Sequence, residues 1–147
     1  MSIKLRRSTS ADVARLMEVW EASVKATHDF LAKEDIQFFK SAIAEHKVFG
    51  QADITCAVTT DDVVIGFVGV AGDSLEMLFI DPEYRGVGIG KMLTLYAIHD
   101  CAVRKVDVNE QNLQAVGFYE RMGFVTKSRS DVDGMGKPFP LLQMELR

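Results

Sequence analysis

The sequence has few of the residues that hold small domains together covalently or through a metal ion. Its 147 residues include only two cysteines, Cys56 and Cys101, and three histidines. One pair of cysteines in a chain of this length predicts two reduced thiols rather than a disulfide framework. The cysteines and histidines also lack the spacing of a zinc site. We therefore expect a fold that depends on its hydrophobic core, with no metal.

Long hydrophobic runs are missing as well. The longest apolar stretch, residues 63–72, is interrupted by three glycines. It covers about half of the roughly twenty residues that a membrane-spanning helix needs. Basic residues near the N-terminus are not followed by an apolar segment, so the pattern is not that of a signal peptide. These features predict a cytoplasmic protein with no membrane partner.

Positive charge is not in excess, since 17 Lys and Arg face 21 Asp and Glu, for a net charge of −4. Nonspecific binding to nucleic acid requires a cationic face, so we expect no nucleic-acid partner. The hydrophobic share of 48% is typical of a globular chain. No linker, repeat or low-complexity tract divides it, and we expect one domain over residues 1–147.

The hydrophobic pattern predicts a mixed α/β fold. Apolar residues at helical spacing predict a helix over 11–26, with Ser10 as its N-cap, and a second helix over 33–49. Two β-branched runs predict a hairpin over 54–59 and 63–70. The remaining predicted elements are a strand at 74–80, a helix at 88–102, a strand at 103–108, a helix at 115–122, and strands at 124–129 and 141–146.

A glycine-rich turn between a predicted strand and a predicted helix is the most informative segment. Residues 85–90 read Arg-Gly-Val-Gly-Ile-Gly and are followed by Lys91. The first amides of a helix have no acceptor within the helix and carry the positive end of its dipole, and glycines let a ligand approach them. The segment therefore predicts a site for phosphate or pyrophosphate, to which Arg85 and Lys91 add positive charge.

The spacing of this turn excludes two common phosphate loops. A Walker A loop needs glycine at position 85 and Ser or Thr at position 92, where this chain has Arg85 and Met92. In the dinucleotide fingerprint the third glycine would fall on Lys91 or on Leu93. A nucleotide phosphate-binding protein is therefore disfavoured, and the pattern that fits is Arg-x-x-Gly-x-Gly.

Two blocks of sequence resemble the GNAT superfamily of N-acetyltransferases. The first is the turn at 85–90, which looks like the acetyl-CoA loop of that family. The second is residues 109–124, with Asn109, Asn112, Ala115, Tyr119 and a following Gly-Phe pair. Over residues 26–31, 109–119 and 136–142 the chain looks closest to the YjaB-type bacterial acetyltransferases. The resemblance implies a mostly antiparallel central sheet, splayed between strands four and five, with about four helices.

The resemblance also implies which residues hold acetyl-CoA. The backbone of Leu78, Phe79 and Ile80 is expected to pair with the pantetheine arm, as an added strand does, and the Phe79 amide to polarise the thioester carbonyl. Asn109 and Asn112 are expected to bind pantetheine or to order their loop, with a turn or helix cap as the alternative. The pyrophosphate is expected to lie against Arg85, Gly86, Val87, Gly88, Ile89, Gly90 and Lys91.

Tyr119 matches the general acid of the family. A phenol with a pKa of about 10 is a weaker acid than a thiol with a pKa of about 8.5, so full proton transfer to the leaving thiolate is uphill by roughly 2 kcal/mol. A hydrogen bond to the developing thiolate is the easier role. The alternative for Tyr119 is an aromatic residue of the core.

The acceptor side carries weaker signals. Glu76 lies in an apolar strand just before the cofactor segment and is a candidate base, with an ion pair or an exposed strand face as the alternative. In the strand, alternation places Leu75, Met77 and Phe79 on one face and Glu76 on the other. By resemblance, His28, Asp29 and Phe30, in the connection between the first two helices, shape the acceptor pocket. For His28 the alternative is a polar helix terminus.

These observations predict an acetyl-CoA-dependent N-acetyltransferase. The acceptor is a small-molecule or peptide amine that attacks the thioester directly, because neither cysteine has a motif for a covalent intermediate. The alternative is a non-catalytic acyl-CoA-binding regulatory module of the same fold, against which Tyr119 argues. The sequence leaves open whether two copies of the chain form a homodimer.

Overall fold

A seven-stranded sheet forms the centre of the fold in the computed structural model, which describes residues 2–28, 30–45, 47–51 and 53–147. The strands are β1 (Lys4–Arg7), β2 (Asp53–Val58), β3 (Val64–Ala71), β4 (Ser74–Ile80), β5 (Lys105–Asn109), β6 (Phe124–Ser130) and β7 (Leu141–Leu146). The α-helices are α1 (Val13–Thr27), α2 (Lys33–Glu45), α3 (Val48–Gln51), α4 (Ile89–Asp100) and α5 (Leu113–Arg121). This element order confirms the predicted mixed α/β class.

The sheet is antiparallel except where β4 meets β5. Its strand order is β1-β2-β3-β4-β5-β7-β6. The parallel pair β4–β5 is joined at only two positions, Ser74 with Lys105 and Leu75 with Val106. Beyond Leu75 the two strands separate, so the second half of β4 has β3 on one side and an opening on the other. The predicted splay between strands four and five is confirmed.

The two faces of the sheet build two cores. In β3, Val64 and Phe67 pack in the cluster under α1 and α2, whereas Ile65 and Val68 pack in the cluster with α4. The strand reads as a nearly continuous apolar run because both of its faces are covered by helices. Two buried faces fix the register of the central strands, since a slip of one residue would exchange the two sets of side chains.

The helices differ from the sequence predictions in two ways besides shifts of one or two residues at their ends. The helix predicted over 33–49 is two elements, α2 ending at Glu45 and a separate four-residue α3. Ser10 is not an N-cap: a single-turn 3-10 helix over Ser10–Asp12 precedes α1, with Thr9 as the N-cap of that turn and Asp12 as the N-cap of α1. The Asp12 carboxylate accepts the Thr9 N–H at 2.8 Å, which fixes this entry.

A bulge in the β3–β4 ladder changes the faces of β4. The register shifts between Gly69, opposite Met77, and Val70, opposite Leu75. Leu75 therefore packs in the α4-side cluster, while Met77 and Phe79 pack against the α1-side cluster. The prediction that Leu75 shares a face with Phe79 is wrong, because strict alternation fails across a bulge.

The cysteines are free thiols, as the sequence predicts. Burial raises the pKa of the Cys56 thiol to about 11, so it stays protonated and packs as a small apolar side chain. In the part of the chain that the structure describes, no helix has the length and hydropathy needed to cross a bilayer.

Candidate functional site

The opening between β4 and β5 leads into a cleft of about 390 Å³. Its walls come from the end of α1, the second half of β4, the glycine-rich turn with the start of α4, and α5. The lining residues are Ser23, Thr27, His28, Leu78, Phe79, Ile80, Tyr84, Arg85, Gly86, Gly88, Ile89, Gly90, Lys91, Asn112, Gln114, Ala115, Phe118, Tyr119 and Arg121. Most of the predicted cofactor residues are therefore brought together in one cleft.

The backbone of β4 presents its polar groups to this cleft at alternate residues. The N–H of Asp81 donates to the carbonyl of Ile65 on the β3 side at 2.9 Å, and Phe79 lies opposite Phe67 in the ladder. Because consecutive strand residues point their N–H and C=O groups to opposite sides, Phe79 faces β3 as Asp81 does. The N–H and C=O groups of Leu78 and Ile80 therefore face the opening. An extended ligand could therefore pair with Leu78 and Ile80, whereas the expected role of the Phe79 amide in polarising the thioester does not fit.

The glycine-rich turn takes backbone conformations that suit glycine. Gly86 and Gly88 have φ angles of 80° and 88°, in the left-handed region, and Gly88 is the N-cap of α4. The turn thereby brings the first amides of α4 to the cleft, where a helix N-terminus favours an anion. Arg85, Lys91 and Arg121 line the same cleft and give it three positive side chains.

Arg85 is held across the cleft by α5, since its guanidinium donates to the side-chain carbonyl of Gln114. The predicted cofactor residue Val87 is not among the cleft residues, and its side chain is exposed. Ile89 also lines the cleft, and its side chain is buried in the α4-side core. Within the turn, the backbone and the charged side chains thus carry the anion-binding chemistry.

Tyr119 is a buried residue on the wall of the cleft. Its ring packs edge-on against Phe118 and Phe124, with ring centroids 5.2 and 5.7 Å away. Burial raises the pKa of its phenol above the ordinary value. A buried, neutral phenol is suited to donate a hydrogen bond and poorly suited to give up its proton. Tyr119 is both a core aromatic and a cleft residue, so the two sequence interpretations are compatible.

The two asparagines have different places. Asn112 lines the cleft and caps α5, its side-chain oxygen accepting the Ala115 N–H at 3.1 Å. The structure does not bring Asn109 into the cofactor cleft. Asn109 ends β5 and lines a second cavity instead.

This second cavity has a volume of about 320 Å³ and lies between the end of α1, α2 and the segment before β7. Its walls are largely aromatic and aliphatic. Phe30 and Phe39 each lie near the ring of Phe139, at 5.8 and 6.1 Å between centroids. The cavity meets the cleft at His28 and Phe79, the only described residues that line both. His28 and Phe30, which the sequence analysis expected to shape the acceptor pocket, both line this second cavity, and Asp29 lies outside the described residues.

Glu76 is not placed in either cavity. It lines a third cavity together with Tyr96, Asp100 and Cys101 from the end of α4. Burial and the nearby Asp107 carboxylate raise the pKa of the Glu76 carboxyl. Phe79 packs toward α1, so Glu76 and the second cavity are on opposite faces of the sheet. The structure does not join Glu76 to His28, Phe79 and Tyr119, and so the base predicted on β4 gains no support from the geometry.

Comparison of the chain with known proteins gives a family that agrees with this fold. The family profile of the acetyltransferase (GNAT) domain matches residues 25–147. The chain belongs to the GNAT acetyltransferase family. It is 42% identical over 144 residues to the peptidyl-lysine N-acetyltransferase YjaB of Salmonella typhimurium, covering 98% of each chain.

Two solved structures of acetyltransferases superpose on this chain over nearly its whole length. The apo form of YjaB from Escherichia coli superposes with a TM-score of 0.89 at 39% identity, covering 99% of this chain and 97% of that one. The PaiA N-acetyltransferase from Thermoplasma acidophilum, in complex with coenzyme A, gives a TM-score of 0.76 at 24% identity and full coverage of both chains. The second likeness concerns the fold alone.

This GNAT protein is an acetyl-CoA-dependent N-acetyltransferase whose acceptor is an amine. Among the described residues, no group of three or more His, Cys, Asp or Glu side chains is placed to hold a metal ion. The cleft fits acetyl-CoA in two respects. It offers an open strand edge to the amides of pantetheine and a helix N-terminus with positive side chains to the pyrophosphate.

Sequence reasoning missed several residues of the GNAT cleft. Ser23 and Thr27 of α1 and Tyr84, Gln114, Phe118 and Arg121 on the opposite walls were not predicted. Gln114, Phe118 and Arg121 lie within the second sequence block, and that membership was the available signal. Thr27 lies in the segment 26–31 that carries part of the resemblance. Ser23 had no such signal, because only the packing of α1 beside β4 brings it to the cleft.

Proposed function

We propose that the chain acetylates the ε-amine of lysine side chains in peptides or proteins. One observation carries the proposal: a cleft that contains cationic side chains and a helix N-terminus shares His28 and Phe79 with an apolar cavity. A thioester in the cleft and an amine in the cavity would approach each other at that junction. The names of the relatives support the choice of lysine, since YjaB of Salmonella typhimurium and of Escherichia coli are both peptidyl-lysine N-acetyltransferases.

The apolar lining of the second cavity suits the four methylenes of a lysine side chain. Trp20, Phe30 and Phe139 belong to that lining, and the long stem of lysine packs readily on apolar surface while its amine remains polar. Burial in such surroundings disfavours the ammonium form of an amine. The cavity would therefore help to supply the neutral amine that can attack a carbonyl.

We assign the cofactor roles from the placement of the residues. Leu78 and Ile80 offer backbone N–H and C=O groups to pantetheine, and the Leu78 amide replaces that of Phe79 as the donor to the thioester carbonyl. The amides of residues 86–90, with Arg85 and Lys91, hold the pyrophosphate. Asn112 orders the start of α5. Tyr119 donates a hydrogen bond to the departing thiolate.

The amine attacks the thioester directly in this scheme. Neither cysteine lines the cleft or the second cavity among the described residues. Alignment of amine and thioester at the junction supplies much of the rate, as it does for other reactions between two bound groups. A hydrogen bond from a strand amide to the carbonyl oxygen stabilises the charge that develops there.

The test follows thiol release from acetyl-CoA with a panel of acceptors. We expect transfer to peptides that contain an internal lysine with a blocked N-terminus, and none to the same peptides with arginine at that position. Transfer confined to free polyamines or amino acids would contradict the lysine assignment. Calorimetry is expected to show micromolar binding of acetyl-CoA and none of ATP. Binding of acetyl-CoA without transfer to any amine would favour the regulatory module instead.

Three expectations from the sequence stay predictions. They are the extent of one domain over residues 1–147, the cytoplasmic location and the pairing of two copies. The single sheet supports the first, because its strands draw on residues from Lys4 to Leu146. The molar mass of the protein in solution, measured by light scattering, tests the third.

A further inference from the structure

One carboxylate lies in the wall of the otherwise largely apolar second cavity. Asp133 is half-buried there, in a lining that includes Trp20, Phe39 and Phe139. Among the described lining residues it is the single acidic side chain, and no lysine or arginine accompanies it. A charge in apolar surroundings is costly unless it has a partner. The inference below rests on the proposed function, since it takes this cavity as the place of the acceptor.

The turn that contains Asp133 uses only one of its two carboxylate oxygens. Oδ1 accepts the N–H groups of Met135 and Lys137 at 2.9 Å each. The backbone closes the same turn, because the Asp133 N–H donates to the Lys137 carbonyl at 3.0 Å. Oδ2 accepts no hydrogen bond from the part of the chain that the structure describes. The carboxylate is therefore held in place by one oxygen and can accept from a ligand with the other.

The neighbouring cation in the loop does not neutralise Asp133. The Lys137 ammonium lies 4.2 Å from the centre of the Phe38 ring, and neither of these two residues lines the second cavity. Within the described ranges, no lysine or arginine forms an ion pair with Asp133. The cavity therefore has a negative charge that a positive group of the acceptor would compensate.

This charge does not suit the amine that reacts. A carboxylate beside an ammonium raises the pKa of that ammonium and holds it in the protonated form, which cannot attack a thioester. Asp133 is also not shared with the cleft, whereas the proposed meeting place of amine and thioester is at His28 and Phe79. The partner that fits Asp133 is a second positive charge on the acceptor, separate from the reacting nitrogen.

We propose that Asp133 is a specificity-determining residue that selects acceptors with a second positive charge near the reacting amine. In a protein, this charge is the side chain of an arginine or lysine next to the acetylated lysine. A free diamine offers the same chemistry in a small molecule. The aromatic residues of the cavity support the choice of a cation, because the faces of aromatic rings attract positive charge.

The test measures kcat/KM for blocked peptides that differ beside a single lysine. The neighbour of the lysine is arginine, alanine or glutamate. For the wild type we expect the arginine peptide to exceed the alanine peptide by about five- to tenfold, because a charged hydrogen bond forms at a partly buried carboxylate. The glutamate peptide should be the poorest. The arginine-to-alanine ratio should shrink as salt is raised from about 0.05 M to about 0.5 M, because salt screens the attraction.

Asp133→Asn separates the charge from the turn. The asparagine oxygen can still accept from the N–H groups of Met135 and Lys137, so the loop keeps its hydrogen bonds. The arginine-to-alanine ratio should fall to about 1, mainly through a higher KM for the arginine peptide. A role in the turn alone would leave this ratio unchanged. Asp131→Asn is the matched control and should keep the wild-type ratio, because the Asp131 side chain is in the same loop, 90% exposed and outside the cavity.

A second arm distinguishes the two sources of the positive charge. The diamine cadaverine is compared with pentylamine in the wild type and in Asp133→Asn. Preference for cadaverine, lost in the variant and without a matching preference among the peptides, would support the role of Asp133. It would assign the second charge to a small diamine and refute only the lysine acceptor of the proposed function.

Other outcomes would overturn the proposal. Equal kcat/KM for the arginine and alanine peptides and for the two amines, in the wild type, would show that the cavity does not select a second charge. That result would leave the lysine acceptor intact. A preference that survives in Asp133→Asn, or that falls as far in Asp131→Asn, would not belong to Asp133. If the wild type acetylated no amine, this proposal and the proposed function would both fail.

Discussion

Arg15 of α1 and Asp81 at the end of β4 form an ion pair of 2.9 Å across the entrance to the glycine-rich turn. The other oxygen of Asp81 accepts the Glu83 N–H at 3.0 Å, and the Arg15 Nε donates to the Val64 carbonyl at 3.0 Å. Asp81 is largely buried. This pair links α1, β3 and the turn, so α1 fixes one end of the segment that carries the anion-binding amides.

Removing Arg15 is therefore expected to weaken acetyl-CoA binding, although Arg15 is not one of the residues that line the cleft. An Arg15→Met variant leaves the Asp81 carboxylate without its charged donor, at a cost of about 1 kcal/mol or more in the ordered turn. We expect acetyl-CoA affinity by calorimetry to fall by about five- to tenfold. Glu18→Gln is the matched control, because Glu18 is an exposed second partner of Arg15 at 3.6 Å. Equal affinities in Arg15→Met and the wild type would show that the pair does not order the turn.

Replacing Tyr119 by Phe should separate binding from turnover. The ring packing against Phe118 and Phe124 remains, so stability and acetyl-CoA affinity should stay near the wild type, whereas kcat should fall by about 10- to 100-fold with the loss of the hydrogen bond to the thiolate. Burial raises the pKa of this phenol, so Tyr119 stays protonated and should produce no basic limb below pH 10. Tyr96→Phe is the control, since the Tyr96 hydroxyl contacts Thr55 at 3.3 Å, away from the cleft. Unchanged kcat in Tyr119→Phe would remove the phenol from the mechanism.

Asp12 should contribute stability that depends on pH. The hydrogen bonds from Arg6 lower the pKa of the Asp12 carboxyl to about 2, below its ordinary value near 3.8. A carboxyl with a lowered pKa in the folded state stabilises the protein above its unfolded pKa, and this stability is lost as pH falls through the folded pKa. We expect Asp12→Asn to lower the free energy of unfolding by about 2 kcal/mol at pH 7, with the difference from the wild type shrinking between pH 4 and pH 2.

Asp62 provides the comparison for that experiment. It also pairs with Arg6, at 2.8 Å, but its side chain is 66% exposed whereas that of Asp12 is 11% exposed. Exposed ion pairs contribute little to stability. Chemical denaturation of Asp62→Asn should give a free energy of unfolding within about 0.5 kcal/mol of the wild type. Equal effects at the two positions would contradict the burial argument.

Replacement by alanine should change the thermal stability of the protein differently at two glycines of the turn. At Gly88, with φ of 88°, an added Cβ meets nothing within 4 Å, so the cost is conformational and about 1 kcal/mol or more. At Gly90, inside α4, the Cβ would lie 3.8 Å from Phe118 and the helix would gain from alanine. Thermal unfolding should therefore show a lower Tm for Gly88→Ala and an equal or higher Tm for Gly90→Ala. The reverse order would mean that the turn is not held in the left-handed conformation.

Much of the fold was predictable because its signals are local. The hairpin of β2 and β3, the strand β4 and the helix after the glycine-rich turn follow from β-branched runs, turn residues and helical spacing. The predictions are wrong where contacts between distant parts of the chain determine the local structure. The division between α2 and α3 and the Thr9 cap depend on how α1 and its neighbours pack, and the bulge at Glu76 depends on the pairing of β3 with β4.

The sequence by itself determined the family and the anion-binding turn, because glycine spacing and helix polarity act within a few residues of one another. Only the tertiary structure decided which groups meet. The hydrogen-bond pattern between β3 and β4 points the N–H and C=O groups of Leu78 and Ile80, rather than those of Phe79, toward the opening. Glu76 goes to the far face, and His28 comes to the junction of the two cavities through the packing of α1 on β4. Such placements depend on contacts between residues that are distant in the chain, which no local pattern records.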